Sequence, residues 1–165
     1  MPSAKCFPQR LRPIDAALAA VPGAPARVLD LGTGSGAVAR LAAARWPAAA
    51  VTGVDVSPQM VEEARRLAGS ARERYEVADA SALPFADGAF DVVALNNMIP
   101  FFDELVRVLA AGGHVAVAFS MGDRTPIYVP LARVRAELER RGLEVLLEQE
   151  TGPGLSLLAR RPERA

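Results

Sequence analysis

The sequence predicts an α/β fold in which a mostly parallel sheet of seven strands lies between layers of helices. Short runs of β-branched and aliphatic residues alternate with amphipathic or alanine-rich segments along most of the 165 residues. Strands that alternate with helices in this way form parallel sheets. The last two runs have no helical segment between them, so they must join as a hairpin, and at least one of these strands runs antiparallel to the rest.

Length and composition predict a single domain over residues 1–165 with a substantial core. Hydrophobic residues make up 51% of the chain and charged residues 23%, which is typical of a globular protein. The 19 basic side chains are balanced by 19 acidic ones. The chain therefore lacks the basic field that non-specific nucleic-acid binding requires, and we expect no nucleic-acid partner.

No targeting signal is evident in the sequence. The first 13 residues lack the apolar region of a signal peptide, and no apolar run reaches the roughly 18 residues that a membrane span needs. Cys6 is the only cysteine, so no internal disulfide can form, and a reducing compartment suits the chain. We therefore expect a cytoplasmic protein that does not contact a membrane.

The first half of the chain is predicted to hold three helices and two strands. Their bounds are, in chain order, a helix over 13–20, a strand over 27–31, a helix over 36–46, a strand over 51–56 and a helix over 58–69. Pro22-Gly23 ends the first helix, and Pro47 ends the second. Ser57 offers an N-cap hydroxyl to the third helix, in which Pro58 takes the first position.

The second half is predicted to hold five strands and two helices. The strands cover 74–78, 90–95, 114–119, 143–148 and 155–159, and the helices cover 102–110 and 127–141. Pro84 and Asp87-Gly88 are turn signals within a loop over 81–89. Gly112-Gly113 ends the first of these helices, and a loop over 149–154 separates the last two strands.

The first strand leads into a turn that holds three glycines, Gly32, Gly34 and Gly36. In an open parallel sheet, ligands bind at the carboxyl ends of the strands. The turn on its own leaves two ligand classes open. The spacing Gly32-x-Gly34-x-x-Ala37 satisfies the dinucleotide pattern. Asp30, just ahead of the glycines, disfavours a pyrophosphate and favours an ammonium group.

Two further carboxylates follow the next two strands. Asp55 ends the second strand and can accept hydrogen bonds from both hydroxyls of a ribose, which suits either ligand class. Asp79 ends the third strand and can accept from the exocyclic amine of an adenine, although an ordinary loop role is the alternative. Together with Asp30 they indicate an adenosine that carries a cation instead of a phosphate. S-adenosylmethionine has this chemistry, with its ribose, adenine, ammonium and sulfonium groups.

Four segments, in this order, resemble the successive motifs of class I S-adenosylmethionine-dependent methyltransferases: VLDLGTGSGAVA, VTGVDVSPQMVEEAR, VADASALPFADGAFDVV and LVRVLAAGGHVAVAF. The resemblance covers residues 26–160 as a cofactor-binding core and leaves 1–25 as an N-terminal segment. It implies a doubly wound, three-layer fold whose sheet has the strand order 3-2-1-4-5-7-6 with strand 7 antiparallel. It also implies S-adenosyl-L-methionine as the cofactor.

The resemblance implies a role for each residue that matches a motif. The residues expected to line the methionine part of the cofactor are Asp30, Gly32, Thr33, Gly34 and Gly36. Those expected around the adenosine are Asp55 at the ribose, Val56 and Met60 on the two sides of the adenine, and Asp79 and Ala80 at its amine edge. Asn96, after the fourth strand, is expected to close the site. For Met60, a place in the helix core is the alternative.

The sequence assigns no catalytic base and no metal ligand. A sulfonium leaves as a neutral thioether, so positioning provides most of the acceleration, and a base helps only where the acceptor keeps its proton at neutral pH. His114, the only histidine, begins the fifth strand, at the edge of the sheet away from the glycine turn. Asp103 and Glu104 suit the first turn of a helix, and Tyr128 suits packing as well as acceptor contact.

We expect little of the chain to be left over for an acceptor pocket or a lid. We hypothesise a shallow, open site for a small-molecule acceptor, completed by residues 1–20, by a partner chain or by a second copy. The apolar candidates for its walls are Phe7, Met98, Phe101, Phe102 and Tyr128. The stretch NNMIP over 96–100 departs from the Asn-Pro-Pro-aromatic motif of methyltransferases that act on amino groups of bases or glutamine, which argues against a nucleic-acid acceptor.

Two other functions stay open. A catalytically silent protein of the same fold would bind an adenosyl ligand or act as a scaffold without turnover. An NAD(P)-dependent oxidoreductase would need a tyrosine–lysine pair or a similar catalytic group, and Lys5 is the only lysine of the chain.

Overall fold

The structure of the protein is a computed structural model that describes residues 8–163, and its centre is one sheet. The seven strands are β1 Arg27–Leu31, β2 Ala50–Asp55, β3 Glu73–Val77, β4 Phe90–Asn96, β5 Leu109–Phe119, β6 Glu144–Thr151 and β7 Gly154–Arg160. Their order is β3-β2-β1-β4-β5-β7-β6, which confirms the predicted order. β7 is antiparallel to its neighbours β5 and β6, and the other neighbouring strands are parallel, also as predicted.

Five α-helices in the described part of the chain cover both faces of this sheet. They are α1 Arg12–Ala19, α2 Ala37–Arg45, α3 Pro58–Leu67, α4 Phe102–Val108 and α5 Leu131–Arg140. Buried side chains of α1, α2 and α3 pack on one face, together with Val28 of β1. Those of α4 and α5 pack on the other face, against Leu29 and Leu31 of the same strand. Alternate residues of β1 thus face opposite layers, and the three-layer prediction is confirmed.

The start of β5 differs from its prediction. The sequence indicates a helix to residue 110 and a strand from 114, whereas α4 ends at Val108 and the strand begins at Leu109. Leu109 pairs with Phe90 of β4, and the Gly112 N–H donates to the Arg161 carbonyl at 2.8 Å. These sheet contacts outweigh the helix propensity of the Leu-Ala-Ala sequence, because tertiary pairing overrides a weak local preference.

The last helix and the hairpin also differ from their predictions. α5 begins at Leu131 instead of residue 127, because Pro130 holds extended geometry at its N-cap and restricts the residue before it. β6 extends to Thr151 and β7 begins at Gly154, so the predicted six-residue loop is a two-residue turn through Gly152 and Pro153. Within residues 8–163, no helix combines the length and apolar character that a bilayer span requires.

The carboxyl ends of β1, β2, β3 and β4 lie at one edge of the sheet, because these neighbouring strands are parallel. The glycine turn follows β1 at this edge, and Asp55 and Asn96 end β2 and β4 there. His114 pairs with Val92 near the start of β4, which places it toward the opposite edge. The fold therefore gathers the predicted ligand-binding positions and leaves the histidine apart from them.

Candidate functional site

The turn after β1 is shaped by three glycines in the left-handed region, with φ of 67° at Gly32, 56° at Gly34 and 89° at Gly36. Other residues adopt this region only at an energetic cost. The Thr33 N–H donates to the Val54 carbonyl at 2.8 Å, which ties the turn to β2. α2 begins directly after Gly36, whose N–H donates to the Thr33 carbonyl at 2.9 Å and closes the turn.

The lack of a side chain has different consequences at the three glycines. A Cβ at Gly34 would meet no heavy atom within 4 Å, so this position faces open space. A Cβ at Gly32 would come within 2.6 Å of Met98 Sδ, and one at Gly36 within 2.9 Å of Tyr75 Oη. Gly34 thus leaves room for a ligand, whereas Gly32 and Gly36 permit close packing of neighbouring side chains.

The Asp55 carboxylate is held in place by backbone donors. The Gly34 N–H donates to Oδ2 and the Ser57 N–H donates to Oδ1, each at 2.9 Å. A carboxylate oxygen can accept two hydrogen bonds, so each oxygen keeps capacity for one more partner. Asp55 is half-buried at the end of β2 and can offer both oxygens to a ligand with two adjacent hydroxyls.

A cavity of about 300 Å³, here called the Asp55 cavity, opens at this edge of the sheet. Its lining residues are Gly32, Val54, Asp55, Val56, Ala78, Ala80, Asn97, Met98 and Ile127. Four of the predicted site residues are among them: Gly32, Asp55, Val56 and Ala80. Apolar walls with one fixed carboxylate are the usual composition of a small-molecule site, in which a few polar groups set the orientation.

Asp30, near the end of β1, and Thr33, within the glycine turn, do not line the Asp55 cavity. Asp30 is only 2% exposed, and the Thr33 hydroxyl donates to its Oδ2 at 2.7 Å. Burial raises the pKa of the Asp30 carboxyl to about 7, although the hydrogen bond from Thr33 works in the opposite direction. The charge of Asp30 therefore changes near neutral pH, a property that the sequence does not reveal.

Met60, Asp79 and Asn96 do not line the cavity either. Met60 is 40% exposed on α3. Asp79 is exposed, and its Oδ1 accepts both the backbone N–H of Ser81 at 2.8 Å and the Ser81 hydroxyl at 2.7 Å. These two bonds lower the pKa of Asp79 and form the loop structure that was its alternative role. The Oδ1 atom of Asn96 is buried without a hydrogen-bond partner among the described residues.

Asn97 is a site residue that the sequence prediction missed. Its φ is 57°, and asparagine tolerates this left-handed conformation better than most residues. Its Oδ1 accepts the Ser120 N–H at 2.8 Å, and its Nδ2 donates to Ser120 Oγ at 2.9 Å. Asn97 thereby connects the ends of β4 and β5. The sequence does contain the pair Asn96-Asn97 after the fourth strand, but it does not show which of the two side chains faces the cavity.

A second cavity of about 510 Å³, here called the Arg10 cavity, adjoins the first. Its lining residues are Arg10, Asn97, Ser120, Met121, Thr125, Pro126 and Ile127. Asn97 and Ile127 line both cavities, so the two share a wall. Two ligands, one bound in each cavity, would therefore lie next to each other at Asn97 and Ile127.

The predicted apolar walls of the acceptor site are only partly found at these cavities. Met98 lines the Asp55 cavity, whereas Phe101 is 41% exposed and lines neither. Phe102 stacks under the Arg141 guanidinium, and Tyr128 packs edge-on against Phe119 with ring centroids 5.3 Å apart. Packing is therefore the role that the structure gives Tyr128. Phe7 lies outside the described residues.

The acidic candidates for a catalytic base are engaged elsewhere. Asp103 accepts from Arg141 Nε at 2.8 Å, and Glu104 accepts from Arg107 Nε at 2.7 Å. His114 lines a separate cleft of about 370 Å³ with Asp91, and burial lowers the pKa of its imidazole. None of these three candidates lines the Asp55 cavity or the Arg10 cavity.

Comparison with known proteins points to one family. The sequence profile of a family described as "Methyltransferase domain" matches residues 28–113, more than half of the chain. The chain is 44% identical over 117 residues to the demethylmenaquinone methyltransferase of Thermus thermophilus, which covers 66% of this chain and 52% of that relative. It is 40% identical over 134 residues to the trans-aconitate 2-methyltransferase of Methylobacterium nodulans, which covers 78% and 52%. The chain thus spans about half the length of these curated relatives.

Solved structures share the fold. A methyltransferase in complex with the Haloferax volcanii Trm112 activator superposes with a TM-score of 0.79 at 21% identity, covering 94% of this chain and 91% of that one. The 1,6-didemethyltoxoflavin-N1-methyltransferase of Burkholderia thailandensis, with bound 1,6-didemethyltoxoflavin and S-adenosylhomocysteine, gives a TM-score of 0.73 at 20% identity, covering 93% and 79%.

Proposed function

This chain belongs to the class I S-adenosylmethionine-dependent methyltransferases, and we propose that it transfers the methyl group of this cofactor to a small-molecule acceptor. The observation that carries the proposal is the Asp55 cavity, with its one fixed carboxylate, beside a second cavity large enough for an acceptor. The names of two relatives, a demethylmenaquinone methyltransferase and a trans-aconitate 2-methyltransferase, support a small-molecule acceptor.

The residues of the Asp55 cavity fit an adenosine. Both Asp55 oxygens keep capacity to accept from the two ribose hydroxyls, which would be charge-assisted hydrogen bonds. Val54, Val56, Ala78 and Ala80 provide apolar surface for the adenine. The open space at Gly34 leaves room for the rest of the cofactor. When bound, the cofactor supplies a methyl group on a sulfonium, which leaves as a neutral thioether.

Asp30 would act on the cofactor through its electric field. Because Asp30 is buried near the end of β1, it does not reach the Asp55 cavity by direct contact. Its negative form favours a cation at the turn and disfavours a phosphate, and the low-dielectric surroundings strengthen this preference. Asp30 therefore contributes to the choice of an ammonium-bearing ligand over a dinucleotide, and Thr33 orients its carboxylate.

Positioning is the main catalytic contribution that the two cavities can make. Among the described residues, the ionisable side chains that line the two cavities are Asp55 and Arg10. Each oxygen of Asp55 already accepts a hydrogen bond from a backbone N–H. The shared wall of Asn97 and Ile127 would place the acceptor next to the cofactor, which converts a bimolecular reaction into an intramolecular one. This arrangement suits an acceptor atom that holds no proton at neutral pH.

Calorimetric titration with S-adenosylmethionine, S-adenosylhomocysteine and NAD tests the proposal, together with transfer of labelled methyl to a panel of small acceptors. We expect both adenosyl ligands to bind and NAD not to bind. Binding of the adenosyl ligands without transfer to any acceptor would favour the catalytically silent alternative. No binding of either adenosyl ligand would contradict the proposal.

A further inference from the structure

The polar lining of the Arg10 cavity offers hydrogen-bond donors. Asn97 Oδ1 is occupied by the Ser120 N–H, so the amide group turns its Nδ2 toward Ser120 Oγ and keeps one of two N–H donors free. This orientation follows from the backbone partner, because an N–H of Ser120 can only meet the oxygen of the amide. Asn97 therefore adds a donor to the shared wall of the two cavities.

Two buried hydroxyls add to these donors. Ser120 Oγ accepts from Asn97 Nδ2, and Thr125 Oγ1 accepts from the Met121 N–H at 3.2 Å. Each hydroxyl still has its own proton, for which the described residues provide no acceptor. Both residues are only 6% exposed, and the surface that they keep lines the Arg10 cavity. A buried hydroxyl proton without an acceptor is unfavourable, and a ligand oxygen in this cavity would satisfy it.

Arg10 supplies the only charge in the lining that the described residues form. It lies on a short 3-10 helix, Gln9–Leu11, that leads into α1. Pro13 of α1 packs against Gly154 so closely that a Cβ at Gly154 would overlap it, and Ile14 is fully buried. α1 therefore fixes the position of Arg10 relative to the ends of β5 and β7, although the side chain itself is exposed.

From these donors we infer that the acceptor is a small carboxylic acid whose carboxylate binds in the Arg10 cavity, an inference that rests on the methyltransferase function proposed above. Arg10 binds the anion, and the hydroxyls of Ser120 and Thr125 donate to its oxygens. Residues 8–163 add no acidic side chain to this lining that would repel the anion. A guanidinium binds a carboxylate strongly and can do so through two parallel hydrogen bonds, and a hydroxyl adds a hydrogen bond to the charged oxygen.

The remaining lining suits the rest of such a molecule. Met121, Pro126 and Ile127 give the cavity apolar walls, which favour an aliphatic or aromatic body. Asp123 and Arg124 lie on the short 3-10 helix between Ser120 and Thr125, and neither lines the cavity. S-adenosylmethionine itself carries a sulfonium cation, which also favours an anionic neighbour over a cationic one.

Binding to the full chain saturated with S-adenosylhomocysteine tests the inference. The probes are matched sets: hexanoate with hexanamide and hexylamine, and benzoate with benzamide, benzylamine and phenyl phosphate. Protein NMR shifts or calorimetry would give each affinity. We expect the acids to bind at least about tenfold more tightly than their amides and amines. The neutral amides lose the charge pair with Arg10, and the amines, which are protonated at neutral pH, are repelled by it.

Arg10→Gln is the diagnostic variant, and Arg12→Gln is its matched control, because Arg12 is exposed nearby on α1 and does not line either cavity. We expect Arg10→Gln to remove the preference for acid over amide and to leave S-adenosylhomocysteine affinity unchanged. Arg12→Gln should change neither. Thr125→Val keeps the shape of the side chain but removes the hydroxyl donor and the acceptor of the Met121 N–H. It should weaken acid binding several-fold and amide binding less, because a hydrogen bond to a charged acceptor is the stronger one.

Three outcomes would overturn the inference. The first is that acids bind no better than amides or amines, or that no acid binds at about 10 mM. The second is that Arg10→Gln and Arg12→Gln affect acid binding equally. The third is a preference for phenyl phosphate over benzoate, which would indicate a phosphate site. If S-adenosylhomocysteine itself does not bind, the proposed function fails first, and the two failures are therefore distinguishable.

Discussion

Gly34 donates its backbone N–H to the Asp55 carboxylate at 2.9 Å, and this hydrogen bond joins the glycine turn after β1 to the side chain at the end of β2. The same carboxylate also accepts from the Ser57 N–H at the start of α3. Asp55 is therefore a structural link between three segments as well as the proposed ribose ligand. Replacing it tests both roles, and the two roles call for different variants.

Asp55→Ala should weaken S-adenosylhomocysteine binding by more than about tenfold, because charge-assisted hydrogen bonds to the ribose are lost. Asp55→Asn keeps one acceptor oxygen for the backbone donors and should fold more stably than Asp55→Ala. Asp79→Ala is the matched control, since Asp79 is exposed and does not line the cavity. Calorimetry and thermal unfolding check these expectations. An Asp79→Ala loss as large as that of Asp55→Ala would contradict them.

Gly32→Ala should destabilise the protein by about 1–3 kcal/mol and abolish cofactor binding. An alanine at this position would hold an unfavourable backbone φ of 67°, and its Cβ would come within 2.6 Å of Met98 Sδ. Gly23→Ala is the control, because Gly23 has a similar φ of 73° but no heavy atom near its Cβ position. Urea unfolding should show a larger loss at Gly32 than at Gly23. Equal losses would mean that backbone strain alone matters at Gly32.

Asp30→Asn should stabilise the protein at neutral and alkaline pH. The folded-state pKa of Asp30 is about 7 against an ordinary value of 3.8, so its folded state favours the protonated carboxyl. The wild-type protein therefore loses stability as the pH rises from about 4 to about 7 and gains none above it. The stability advantage of Asp30→Asn should grow over this window to at most roughly 4 kcal/mol and then level off. A pH-independent difference in urea unfolding would contradict the buried, proton-binding state of Asp30.

Binding of S-adenosylmethionine should strengthen several-fold between pH 6 and pH 8, because an ammonium-bearing ligand favours the ionised form of Asp30. Adenosine, which has no ammonium group, should bind with little change over the same range. In Asp30→Asn the rise with S-adenosylmethionine should disappear. Calorimetry in buffers of different ionisation enthalpy would also detect proton release on binding. The same pH dependence for adenosine would argue against a role for Asp30 in recognising the cation.

The sheet is predicted well from the sequence because the strands are marked by a local, repeated pattern of apolar residues. Alternating apolar runs indicate the strands, and the N-cap at Ser57 is confirmed, since its Oγ accepts the Met60 N–H. The glycine turn and Asp55 lie at strand ends, where the topology itself brings ligand-binding groups together. The glycine turn and Asp55 could therefore be predicted as site residues without knowing how the side chains pack.

The remaining site residues depend on side-chain packing, which cannot be inferred from the patterns of a single sequence. Asn97, whose φ lies in the left-handed region, lines the cavity and Asn96 does not, and the pair of asparagines in the sequence does not show this difference. The burial of Asp30 results from layers that meet only in the folded state. Arg10, which comes from the N-terminal segment, reaches the cavity because α1 packs on distant residues such as Gly154. The expectation that a partner chain or second copy completes the site stays a prediction.

The position of β7 between β5 and β6 also constrains the timing of folding on the ribosome. β6 pairs with β7 and with no other strand of the sheet, so it cannot join the sheet until β7 has been synthesised. Leu157 and Leu158 of β7 are almost completely buried, which leaves the cores on both faces incomplete until then. Synthesis must therefore reach Arg160, and that segment must leave the exit tunnel, before the nascent domain can close its sheet.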